Sequence, residues 1–137
     1  AGSGLTIAGT TMTAAPSFVI GSFTRDISTA SGTQDVTGLG ITPRLLLFLT
    51  GGLGTTGGPS LSLGLDDGTN MGVVENDSGS STTMDFKTRT TASIYISVSG
   101  GVYAGEVTAL ASGQFTVTWT KTSSPTGTAT IVYLAVA

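Results

Sequence analysis

The chain of 137 residues contains no cysteine and no histidine, and only 9% of its residues are charged. Without cysteine there is neither a disulfide framework nor a thiolate metal site. Without histidine the chain lacks the commonest general base and the commonest transition-metal ligand. The formal net charge is −3, and the five basic residues are a poor match for nucleic acid, which binds clustered Lys and Arg. We therefore expect no nucleic-acid partner.

Long apolar runs are also missing, because no stretch approaches the ~20 residues that a membrane helix needs. The first residues, Ala-Gly-Ser-Gly, lack the charged and apolar regions of a secretory signal. What is abundant is glycine, with 21 copies, together with Thr and Ser and well-spaced Ile, Val, Leu and Phe. This composition predicts a folded chain without membrane insertion.

The clearest strand signal lies near the end of the chain. Phe115, Val117 and Trp119 alternate with threonines, which is the period of a strand with one buried face. The segment 122–127 holds the Ser, Pro and Gly that turns favour, and it predicts a hairpin to the next strand, Ile131 to Val136. That last strand is apolar on both faces, so we expect both to be covered.

A second strand with two apolar faces, Leu45 to Leu49, follows Pro43. Further strands are predicted at residues 17–23, 60–65, 71–75, 82–87 and 92–98, and nothing has the pattern of a helix. Short strands at this spacing, separated by Gly and Asp turns, predict an all-β fold, either an antiparallel β-sandwich or a jelly roll.

The two strands with apolar faces on both sides also predict self-association, since a small domain cannot cover every such face. The outward positions expected to form an oligomer interface are Leu45, Leu47, Leu49, Val132, Leu134 and Val136.

Residues 1–16 are interpreted as an extended N-terminal arm, with a frayed terminus as the alternative, and residues 17–137 as one β-sandwich domain. Leu5, Ile7 and Ala8 could anchor the arm by adding a strand to a neighbouring protein. The glycine-rich loop from Gly51 to Gly58 is expected to be mobile and to contribute less to binding than the arm.

The acidic residues give no catalytic or metal pattern. Asp66 and Asp67, with Gly68 and Asn70, could offer oxygen ligands to calcium, but the spacing matches no complete loop and a solvated turn is favoured. Nothing in the spacing selects a carboxylate pair for glycoside hydrolysis from Asp66, Asp67, Glu75, Asp77 and Asp85. A Ser–Lys nucleophile has no motif support. We expect no enzyme activity, no catalytic residue, no metal and no cofactor.

Aromatic residues offer an alternative binding function, because their faces can stack on sugar rings. The candidate sugar contacts are Tyr103, Tyr95 and Trp119. Trp119 shares a face with Phe115 and Val117, which favours a place in the core. Tyr103 follows Gly100-Gly101 at a strand entrance and is expected to be the better exposed.

Two resemblances cover residues 36–137. The ending Phe115-Thr-Val-Thr-Trp-Thr-Lys121, Ser124-Pro-Thr-Gly-Thr-Ala129 and Ile131-Val-Tyr-Leu-Ala135 resembles small structural proteins of tailed bacteriophages. That resemblance implies a capsid decoration or tail protein on the outer surface of a virion, with other virion proteins as partners. The same segments, with Thr42 to Phe48 and Gly105 to Thr108, resemble more loosely the H-type lectin domain. That family implies an antiparallel sandwich that forms trimers and binds sugars between subunits, with surface glycans as partners. We therefore expect this protein to be a homo-oligomer, and the resemblance favours a homotrimer.

Overall fold

The computed structural model describes residues 17–51, 61–76, 86–98 and 101–137, together with the backbone of two short strands, β1 (Leu5–Ile7) and β2 (Thr10–Met12). All regular secondary structure among these residues is β-strand, and every strand pairing is antiparallel. Two sheets pack face to face, so the predicted all-β antiparallel sandwich is confirmed.

The larger sheet has six strands. They are β3 (Phe18–Asp26), β5 (Leu45–Gly51), β6 (Leu61–Asp66), β7 (Met71–Asn76), β8 (Phe86–Arg89) and β12 (Thr128–Val136). Their order across the sheet is β3-β12-β5-β6-β7-β8. The two strands that were predicted to be apolar on both faces, β5 and β12, pair with each other and have neighbours on both sides.

The smaller sheet has four strands. They are β4 (Gly32–Thr37), β9 (Ile94–Val98), β10 (Gly101–Ala111) and β11 (Gln114–Ser123), in the order β4-β11-β10-β9. Thr, Val, Ile and aromatic residues fill these strands because their branched or flat side chains fit a pleated surface.

The inward faces of the two sheets enclose a core rich in aromatic rings. Phe115 of the smaller sheet meets Phe48 and Tyr133 of the larger sheet edge to face, with ring centroids 5.8 and 5.3 Å apart. Trp119 lies beside Tyr103, with a centroid distance of 5.3 Å. As expected for Trp119, its side chain is buried in the core with Phe115 and Val117.

The sheets come closest where β6 crosses the residue before β9. A Cβ built on Gly64 would lie 1.7 Å from the carbonyl oxygen of Ser93, so only glycine fits there. Polar side chains of β6 also make contacts in the interior of the sandwich. The hydroxyls of Ser62 and Thr50 are 2.6 Å apart, and the Asp66 carboxylate accepts a hydrogen bond of 3.3 Å from the backbone N–H of Val107 in β10.

The predicted hairpin between the last two strands is wrong. The strand that contains Trp119 pairs with β10 and β4, whereas β12 pairs with β3 and β5 in the other sheet. The segment 124–127 is therefore a crossover between layers. It follows Ser123, whose φ of 64° lies in the left-handed region, and it includes the buried Pro125.

The strand β4 was not predicted, because its outward positions are polar and Val36 is its one fully buried apolar side chain. It forms as an edge strand paired with β11. Gln34 on β4 also donates a hydrogen bond of 2.9 Å to the carbonyl of Thr24, which joins one edge of the smaller sheet to the larger.

The N-terminal arm contains a two-stranded ladder in which Leu5 pairs with Met12 and Ile7 with Thr10. The described part of the arm is therefore a pair of antiparallel strands, β1 and β2, that are hydrogen-bonded to each other. Ala8, the loop at residues 52–60, Asp77 and Asp85 lie outside the described residues.

Candidate interaction surface

The outward face of the larger sheet is apolar and open. Among the described residues, ten large apolar side chains are 36% to 68% exposed, and all ten project from this face. We call it the leucine face; these residues are Phe18, Ile20, Leu45, Leu49, Leu61, Leu63, Leu65, Val74, Phe86 and Val132. Their alignment follows from the register, because directly paired residues on neighbouring strands point to the same side.

The leucine face is large for a surface left in water. Ten such side chains, about half exposed, present on the order of 1,000 Å² of apolar surface, whereas the largest patch on a typical monomer is roughly 300–600 Å². A contiguous patch of this size marks a contact site more often than a solvent surface.

The arrangement of β6 explains why the face is apolar. Its sequence, Leu-Ser-Leu-Gly-Leu-Asp, alternates as a half-buried strand should, but the leucines point outward and Ser62, Gly64 and Asp66 point into the sandwich. The close approach at Gly64 and the polar contacts of Ser62 and Asp66 fix this orientation. The strand therefore leaves three leucines outside its own core.

The outward face of the smaller sheet is different in character. It presents Thr116, Thr118, Thr120 and Thr122 of β11, and we call it the threonine face. Thr116 donates to the Asp35 carboxylate at 2.7 Å, and the hydroxyls of Thr118 and Thr108 are 2.9 Å apart. Hydroxyls at these spacings can bond to water, so the threonine face is suited to solvent and the leucine face is not.

The six residues predicted to form an oligomer interface all lie on the outward side of the larger sheet. In the register, Leu45 pairs with Val136, Leu47 with Leu134 and Leu49 with Val132. The sequence therefore identified the centre of the leucine face. The sequence did not identify the flanking residues of the face on β3, β6, β7 and β8. Alternation in these strands shows that one side is apolar, but it does not show whether that side faces the core or the solvent.

The leucine face contains two hollows. One, with a volume of about 530 Å³, lies along β6 and β7 at Gly72, between Leu65 and Val74. The other, of about 240 Å³, lies between Ile20, Leu49 and Val132. The face therefore has relief into which side chains of a partner can fit.

The predicted sugar contacts are not brought together at an open site. Tyr103, expected to be exposed, is instead fully buried, and its hydroxyl donates to the carbonyl of Ala30 at 2.9 Å and accepts from Arg25. Trp119 is 1% exposed and donates to Gln34 at 3.2 Å. Tyr95 is half-buried, with the Arg89 guanidinium 4.0 Å from its ring centroid. The expectation for Tyr103 was wrong because the tyrosine faces inward between Ile96 and Lys121.

The acidic candidates occupy separate structural roles. Asp66 is 1% exposed, which corrects the expectation of a solvated turn for this residue. Asp67 does lie in an exposed turn, where the backbone N–H of Asn70, at 2.7 Å, is the main contact that holds the pKa of its carboxyl below the ordinary value. Glu75 lies in β7, buried, 2.5 Å from a guanidinium nitrogen of Arg89. Across the part of the chain that the structure describes, no three His, Cys, Asp or Glu residues are grouped as metal ligands.

Comparison with protein-family models, curated proteins and solved structures finds no match. Among the described residues, none belongs to a helix with the length and hydrophobicity of a membrane span.

Proposed function

We propose that this protein is a non-enzymatic structural component of a virus particle, of the capsid decoration or tail type, and that the leucine face is its contact surface in the assembly. The observation that carries the proposal is the inverted strand β6, which buries Ser, Gly and Asp while it exposes Leu61, Leu63 and Leu65. Its setting in a tailed bacteriophage is supported by the resemblance of the C-terminal strands.

Burial of the leucine face would drive association strongly. About 1,000 Å² of apolar surface, at roughly 25 cal/mol per Å², corresponds to a gross gain of about 25 kcal/mol. Association costs roughly 4–15 kcal/mol in lost translational and rotational freedom, before side-chain ordering is added. The face is therefore large enough to hold an assembly together without a catalytic or ligand site.

The test compares matched lysine pairs on the two faces. Leu63→Lys with Leu65→Lys places two charges on the leucine face, and Thr120→Lys with Thr122→Lys places two at the same spacing on the threonine face. Because both pairs point outward, we expect both proteins to fold, as checked by circular dichroism. Occupancy on phage particles that lack the protein should fall at least about tenfold for the leucine-face pair and stay near wild type for the control.

Full occupancy by the leucine-face variant would contradict the proposal. The alternative of a carbohydrate-binding module rests on the lectin resemblance, and strong sugar-competable signals on a glycan array would favour it.

A further inference from the structure

We infer that the surface covering the leucine face is a second copy of this chain, packed face to face about a two-fold axis that runs along β5. The inference rests on the proposed function, in which this face is a contact surface, and adds the identity of the partner and the arrangement. Three features support it: the register of one row of residues, the relief of the face and the position of its few charges.

One row of paired residues crosses the sheet at right angles to the strands and is centred on β5. In order it consists of Ile20, Leu134, Leu47, Leu65 and Gly72. An axis along β5 at Leu47 exchanges the two ends of this row. Ile20 of one copy then faces Gly72 of the other, and Leu134 faces Leu65.

When the axis exchanges the two ends of the row, a projecting residue of one copy faces a hollow of the other. Ile20 is 68% exposed and is the most exposed large apolar side chain among the described residues, so it forms a projection. Gly72 has no side chain and lies at the hollow of about 530 Å³. The same axis therefore places a projection over a hollow twice, once on each side.

The distribution of charge on the leucine face is also compatible with a contact between two copies. On the larger sheet, the outward strand positions in the rows from Val136 to Thr130 carry apolar residues, Ser, Thr, Gly or Asn. Two carboxylates lie at the margin of the face: Asp26 at the end of β3, and Asp67, which lines the hollow at Gly72. A homotypic contact is penalised where like charges meet, but about an axis along β5 only residues of β5 face their own copies, so neither carboxylate meets its equivalent.

The area is sufficient for a stable dimer. A standard interface buries about 800 Å² per partner, and the exposed side chains of the leucine face present roughly 1,000 Å². A two-fold pair covers the whole face of both copies and closes the assembly at two. It differs in this respect from the trimer that the lectin resemblance implies.

A size exchange tests the arrangement. Gly72→Leu places a side chain in the hollow, and its Cβ is accommodated in the monomer, because it meets its nearest atom, the carbonyl oxygen of Arg89, at an ordinary 3.5 Å. Sedimentation of the full chain should show a wild-type dimer at micromolar concentration. Gly72→Leu should weaken the dimer by at least about tenfold, because the new side chain collides with Ile20 of the other copy.

The double variant Ile20→Ala with Gly72→Leu should recover most of the lost dimer affinity. In this variant the large side chain is at position 72 and the small one at position 20, so the two still fit together. Ile20→Lys is a second disrupting variant, because position 20 is exposed in the monomer and any loss of dimer reports the contact. Thr120→Lys on the threonine face is the control and should leave the dimer unchanged. A melting curve for each variant verifies its fold.

Three outcomes overturn the inference: a wild-type monomer at 100 μM, a wild-type trimer, or a dimer in which Ile20→Lys and Gly72→Leu behave like the control. The first would leave the proposed function intact if the leucine-face lysine pair still lost particle binding. The partner would then be another virion protein.

Discussion

At the scale of single residues, Gly64 has the clearest physical requirement. It lies in the middle of β6 with its backbone against the carbonyl of Ser93, so any side chain there must push the two sheets apart. The missing side chain of Gly64 also lets Ser62 and Asp66, on the same side of the strand, reach their hydrogen-bond partners in the interior.

We expect Gly64→Ala to lower the free energy of unfolding by more than about 2 kcal/mol, because overpacking against backbone cannot be relieved by a rotamer change. Gly51→Ala is the matched control, since a Cβ at that glycine of the same sheet meets nothing within 4 Å. Chemical denaturation of both variants measures the difference. Equal stability of the two would show that the sheets separate at this point without cost.

The aromatic residues show what single positions do and do not reveal before the structure is known. The alternation of Phe115, Val117 and Trp119 was sufficient to assign Trp119 to the core. For Tyr103, the neighbouring glycines suggested exposure, but the direction of its side chain is set by the pairing of β10 with Ile96 and Lys121. Which of two alternating positions faces inward is decided by distant partners, and a local sequence pattern does not contain them.

At the scale of elements, most strands could be predicted because period-two alternation is a local property. The errors concerned which of the two sheets a strand belongs to and which strands it pairs with. The predicted hairpin after β11 failed because turn-forming residues at 124–127 suit a crossover as well as a hairpin. The strand β4 was missed because an edge strand needs little apolar character when its hydrogen bonds go to a strong neighbour such as β11.

The contact between β6 and β10 gives the element-scale prediction. The Asp66 carboxylate accepts hydrogen bonds from the N–H of Gly68, at 2.8 Å, and from Val107 in the opposite sheet, where the register of β10 shifts. Asp66→Ala leaves both donors without this acceptor, so we expect a loss of about 1–3 kcal/mol in the free energy of unfolding.

Asp67→Ala is the control for that measurement, because its turn is exposed and its hydrogen bonds can be replaced by water. Its loss should be smaller. Occupancy on the particle should be unchanged by Asp66→Ala, since the Asp66 side chain points into the sandwich and not toward the leucine face. A larger loss for Asp67→Ala would mean that the turn, not the link between the sheets, controls stability here.

At the scale of the whole molecule, the two outward faces divide the surface by chemistry. The sandwich as a fold could be predicted, and so could the centre of the leucine face, because Leu45 to Leu49 and Ile131 to Val136 are apolar on both faces of their strands. Its full extent could not, since it depends on β6 exposing its leucines. The outward orientation of these leucines is fixed by a backbone contact at Gly64 and by the buried carboxylate of Asp66. The alternation of a strand does not specify either feature.

The N-terminal arm gives the last prediction. Its two described strands, β1 and β2, form a separate ladder that belongs to neither sheet of the sandwich, so these strands are not part of the ladders that hold the domain together. Deletion of residues 1–13 should therefore change the free energy of unfolding by less than about 1 kcal/mol, which is a shift in Tm of about 4 °C or less for a domain of this size.

The same truncation should weaken attachment to the particle if Leu5, Ile7 and Ala8 anchor the protein to a neighbour. Calorimetry and particle occupancy, measured on one preparation, separate the two effects, with the lysine pair on the threonine face as the folded control. Full occupancy by the truncated protein would show that the arm is not needed for attachment. A large fall in Tm would instead make the arm part of the domain, because a segment that only anchors cannot stabilise the isolated sandwich.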